Sequence, residues 1–109
     1  MSYKKKTIDA FEKQAKRLIK KYPSLKNEIF ELAQELKIDP KNEGVAIGKD
    51  CYKIRIAIAS KGKGKSGGAR VITHIQIINK KVFLLSIYDK SEQENLTDKE
   101  IENMIKLIP

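Results

Sequence analysis

The chain has 109 residues, with 23 lysines and arginines against 14 acidic residues and a formal net charge of +9, so it is one domain by size and points to a polyanionic partner. Its hydrophobic residues (40%) recur with clear periods, which excludes wholesale disorder, and its single cysteine, Cys51, excludes an internal disulfide and fits a reducing cytoplasm. The charged start MSYKKKTIDAF lacks the apolar run of a secretory signal, and no stretch approaches the ~20 apolar residues of a membrane span, so a soluble cytoplasmic protein is expected.

In chain order, residues 3–8 form a short first strand or an arm. Asp9 and Glu12 have capping-box spacing, and Phe11, Ala15, Leu18 and Tyr22 then repeat at helical intervals with lysines and Arg17 on the outer face, predicting a helix over 9–22. Pro23 stops it. Ser24 is placed to cap a second helix over 24–38, with Leu25, Ile29, Leu32 and Leu36 as its apolar positions and Pro40 beyond its end. So short a connection predicts an αα-hairpin. A polar loop with Gly44 and Gly48 leads on to three strands, over 51–59, 69–78 and 82–88. The first alternates Tyr52, Ile54, Ile56 and Ile58 against Lys53, Arg55 and Ala57. The second sets Val71, Thr73, Ile75 and Ile77 inward and Arg70, Ile72, His74 and Gln76 outward, and the third is apolar on both faces, as a covered central strand should be. Thr97 and Glu100 form a second capping box that opens a helix over 97–107. The expected fold is a single α+β domain over 1–109, with the hairpin packed on one face of a small antiparallel sheet of three to four strands and a C-terminal helix.

The charge is unevenly spread. Between Cys51 and Tyr88 lie Lys53, Arg55, Lys61, Lys63, Lys65, Arg70, Lys80 and Lys81 without one Asp or Glu, while the rest of the chain nearly balances at 15 basic against 14 acidic residues. Within this stretch, Ser60 to Gly68 carries four glycines and three lysines, a composition that brings backbone N–H groups and point charges close to phosphates. It is not a triphosphate-binding loop: Ala59 stands where the first glycine belongs, and a strand follows where that motif demands a helix. Lys61, Lys63 and Lys65 are therefore candidate contacts to an RNA backbone.

On the outward sheet face, Lys53 and Arg55 are expected beside Arg70 and His74. Cleaving RNA without a metal requires a base for the 2′-hydroxyl, cations for the phosphorane and an acid for the leaving 5′-oxygen. Arginine grips phosphate oxygens with its planar fork, lysines among other cations titrate closer to neutrality, and histidine as a residue type already titrates there. One histidine and one cysteine leave no donor set for zinc, so neither metal nor cofactor is expected. Tyr52 and Tyr88 are the strand tyrosines able to stack on a base.

Tyr52-Lys53-Ile54-Arg55, the run Lys61-Gly62-Lys63-Gly64-Lys65-Ser66-Gly67-Gly68-Ala69-Arg70, and Phe83 to Lys90 together resemble the RelE/ParE superfamily of type II toxin–antitoxin toxins, most closely its HigB-like branch. The likeness spans about residues 9–107. It implies a small toxin that enters the ribosomal A site and cuts mRNA without a metal, held inactive by a cognate antitoxin. The resemblance assigns Lys53, Arg55, Arg70 and Lys90 to the catalytic basic positions, to which the residue chemistry adds His74. RelE has a base-stacking tyrosine after its last strand; this chain has none beyond Tyr88, which either substitutes for it or leaves stacking weak. ParE-like toxins of the same architecture poison DNA gyrase instead, and a non-catalytic nucleic-acid-binding module would carry the same charge.

Overall fold

The computed structural model describes residues 2–62, 64, 67–93 and 95–109. Its elements in chain order are β1 (Lys4–Thr7), α1 (Asp9–Lys21), α2 (Leu25–Ile38), β2 (Val45–Gly48), β3 (Cys51–Ile56), a 3-10 turn (Ala59–Lys61), β4 (Ala69–Gln76), β5 (Lys81–Asp89) and α3 (Asp98–Lys106). The sheet has five strands in the order β1-β5-β4-β3-β2. All neighbours are antiparallel except β1, which runs parallel to β5. The α+β architecture, the hairpin and the C-terminal helix are as the periodicity implies, with one strand more than the expected maximum.

The core forms where α1 lies against β5. Phe11, Ala15 and Leu18 are buried on the helix, and every β5 residue from Val82 to Asp89 is buried, the sign of a strand flanked on both sides and covered on both faces. Leu25, Leu32 and Leu36 of α2, Ile54, Val71 and Ile101 belong to the same cluster. Gln14 of α1 reaches across it, its Oε1 accepting from the Ser86 hydroxyl at 2.9 Å and from Ile87 N at 3.0 Å.

Several local expectations are revised. The residue preceding α1 is Ile8, not Asp9, and the Thr7 hydroxyl bonds the Glu12 carboxylate instead of an Asp9 cap forming. Ser24 precedes α2, but its hydroxyl serves Glu28 and Ser60 and not the helix N–H groups. The Thr97–Glu100 capping box of α3 is present in both directions, at 2.9 and 3.1 Å. The polar loop expected after Pro40 contains β2, joined to β3 by a two-residue turn in which Lys49 and Asp50 both have positive φ (56° and 59°). Strand β3 ends at Ile56, because the chain turns into the 3-10 segment at Ala59 while still burying Ile58. On β4 the outward row is not uniformly polar-exposed: Ile72 and Arg70 are both buried, and Ile77, expected inward, is exposed beyond the strand end.

Candidate RNA-cleavage site

The register of the sheet decides which candidates meet. Arg55 of β3 sits opposite Arg70 of β4, and Arg70 sits opposite Tyr88 of β5. Directly opposed residues share a sheet face, so Arg55, Arg70 and Tyr88 form one row across three strands. Lys53, two residues from Arg55 on the same strand, lies on the same face, and its Nζ donates to Asn95 Oδ1 at 2.9 Å in the segment before α3. Lys90 follows the end of β5, exposed, with its backbone N–H bonded to Gly68 O at 3.1 Å.

Arg55 is exposed whereas Arg70 is only 3% exposed. Burial first, then the neighbouring Arg55 charge, lowers the Arg70 pKa, and Tyr88 opposes this; arginine nonetheless stays protonated. Burial raises the Tyr88 hydroxyl, partly offset by Arg70. One Arg70 Nη1 donates to the carbonyl of Ala69 at 3.1 Å. Two guanidiniums and a phenol thus share one level of the sheet, with Arg55 exposed and Arg70 and Tyr88 buried beside it.

Gly68 lets β4 start against the end of β3. A Cβ at Gly68 would lie 2.1 Å from the carbonyl oxygen of Ile56, so only glycine permits β4 to begin this close to the end of β3.

Among the described residues, two candidates, His74 and Lys61, are not brought into the row. His74 is paired with Cys51 at the other end of β4, its Nδ1 3.5 Å from Cys51 Sγ, and it lies four positions along the strand from Arg70, roughly 13 Å at the usual rise. Burial pushes the Cys51 thiol up to about 11, so this pair holds a neutral thiol. Lys61 turns away from solvent: its Nζ is 2.7 Å from Asp89 Oδ1, and its side chain is 7% exposed, which leaves little of it for RNA. Lys63 and Lys65 lie outside the described residues. Asp89 was not among the candidates: locally it makes only a turn with Ser91, and its partners Tyr22 and Lys61 are distant along the chain.

The match to known proteins follows this geometry. The free-state structure of a double arginine-to-alanine mutant of E. coli toxin RelE is 18% identical over 100% of both chains, with a TM-score of 0.65. The same mutant in complex with a peptide of antitoxin RelB is 19% identical over 100% of both chains, with a TM-score of 0.51. The family described as the RelE toxin of the RelE/RelB toxin–antitoxin system matches residues 3–108. The chain belongs to the RelE toxin family of type II toxin–antitoxin systems.

Proposed function

We propose that this toxin is a cytoplasmic, ribosome-dependent, metal-independent mRNA endoribonuclease that cuts in the A site and is silenced by a cognate antitoxin. The observation that carries the reading is the cross-strand row of Arg55, Arg70 and Tyr88. A phosphorane concentrates negative charge on its non-bridging oxygens, and a pair of guanidiniums held at one level by backbone pairing is preorganised to receive it. In this reading Arg70 is the principal transition-state cation. Its burial excludes competing water and strengthens each interaction it makes, and since only Arg55 of the pair is open to solvent, RNA docking has to uncover Arg70. Lys53 and Lys90, at the two margins of the row, are the groups from which the general acid and base are drawn. Tyr88, buried beside Arg70, is the aromatic group that would meet the base once docking uncovers this end of the row. His74 lies too far along β4 to act on the phosphate that Arg70 holds.

The decisive experiment adds the purified protein to translating ribosomes and maps mRNA ends. Cuts within A-site codons are expected. Inhibition of DNA supercoiling without cleavage would replace this reading with the gyrase-directed one. Arg70→Ala is expected to lower the single-turnover cleavage rate by ~10²- to 10³-fold, the usual effect of losing one transition-state donor, with ribosome binding largely kept. An Arg70→Ala protein that cleaves at the wild-type rate on saturating ribosomes would remove Arg70 from the chemistry.

A further inference from the structure

Asp89, the last residue of β5, is fully buried and gathers the densest set of hydrogen bonds described in the chain. Its Oδ1 accepts from Lys61 Nζ at 2.7 Å, from Ser91 N at 2.9 Å and from the Ser91 hydroxyl at 2.8 Å. Its Oδ2 accepts from the Tyr22 hydroxyl at 2.9 Å. Its backbone carbonyl accepts from Glu92 N at 3.0 Å and from Gln93 N at 3.1 Å. Lys61 Nζ also lies 5.5 Å from the centre of the Tyr22 ring, so the ammonium is held by a carboxylate and an aromatic face together. Burial alone would raise the Asp89 pKa, but hydrogen bonds from Lys61, Ser91 and Tyr22 hold it well below the usual carboxylate range.

This hub sits where the 3-10 turn and the end of β5 meet. Lys61 ends the 3-10 turn from which the glycine–lysine loop departs, and that turn is pinned on its other side by Glu28, which accepts from Ala59 N at 2.8 Å, and by the Ser24–Ser60 hydroxyl pair at 2.6 Å. Tyr88 and Lys90 are the residues on either side of Asp89, and Lys90 N reaches back to Gly68 O, where the loop rejoins the sheet. A single carboxylate thus connects the start of the loop, the aromatic end of the row and the basic residue after β5. We propose that Asp89 is a positioning residue for the cleavage site, its carboxylate locking the loop start at Lys61 to the β5 end so that Tyr88 and Lys90 are held in place beside the Arg55–Arg70 row. This rests on the nuclease reading above.

Three variants separate positioning from simple stabilisation: Asp89→Asn, Lys61→Met and the double. Each single leaves a buried charge without its partner and should lower the Tm, whereas the double removes both charges and should regain much of the loss. If Asp89 positions the site, kcat/KM for mRNA cleavage on programmed ribosomes falls ~10- to 100-fold in all three, the scale set by small misplacements of catalytic groups, and the double does not regain it. In the free proteins, hydrogen exchange at the Gly62 and Lys90 amides accelerates by ~10-fold or more in all three, while the β4–β5 ladder is unchanged. Cleavage that recovers together with Tm in the double, or loop amides that exchange as in the wild type, would overturn the proposal and leave a stability staple. A wild-type protein that does not cleave mRNA would sink the nuclease reading instead, and the exchange data would then decide by themselves whether Asp89 fixes the loop.

Discussion

Asp89 shows how a single side chain ties stability to pH. Its pKa is depressed in the folded protein, so the stability it contributes is complete above the unfolded-state value, roughly 3.9, and is lost as the pH falls through that value toward the folded one. Asp89→Asn should therefore lower the urea midpoint at pH 7 and close the gap to wild type as the solution is acidified below pH ~4, a crossover readable by denaturation at a series of pH values. Thr73 is the opposite case. It is fully buried beside the β-bulge, and its hydroxyl is the buried side-chain polar group without a partner among the described residues. Thr73→Val keeps the shape and removes the orphan, and should raise stability by ~1 kcal/mol in thermal melts; a drop in Tm would mean the hydroxyl is satisfied. Gly68→Ala should cost ~1–3 kcal/mol, because the added methyl meets the Ile56 carbonyl. At this scale the sequence was partly legible. The Arg55–Arg70 opposition follows from strand alternation, whereas the Lys61–Asp89 pair depends on a long-range approach that no local spacing encodes.

Among the elements, α3 is held at its start and along its side by identifiable contacts. Its capping box satisfies the Thr97 and Glu100 N–H groups, Ile101 is its buried anchor, and Glu102 pairs with Lys49 in the β2–β3 turn. Thr97→Ala should cost ~1 kcal/mol and speed hydrogen exchange in α3 before it affects the sheet; exchange that rises equally in β5 would show that the helix and sheet open as one unit. The helices and the first two long strands were readable from their regular apolar periods, and the third from its nearly continuous apolar run. Strand β2 was not: four residues, Val-Ala-Ile-Gly, are too few to show a period, and Lys49-Asp50 is not a pair that advertises a turn with two positive φ angles. Strand β1 was ambiguous for a related reason. Three lysines and a threonine have no apolar face of their own, and the segment is extended because β5 offers it a ladder.

At the level of the whole molecule, the basic surplus and the family assignment both concern partners. The charge excess lies between Cys51 and Tyr88, so ribosome affinity should fall steeply with added salt, with a log–log slope that becomes shallower when exposed cations such as Arg55 are removed. Co-expression of the cognate antitoxin should restore growth that this toxin alone arrests, and growth unaffected by the intact chain expressed alone would count against an active toxin. The sheet order adds a temporal consequence. The strand nearest the N-terminus completes the edge of the sheet against β5, with Lys4 opposite Lys81, so its partner is synthesised only after both hairpin helices and three other strands. Contacts this distant in sequence close late in folding, since the entropy of the intervening chain must be overcome first. A ribosome making this protein thus releases β3 and β4, with Arg55 and Arg70, before the parallel β1–β5 ladder can form.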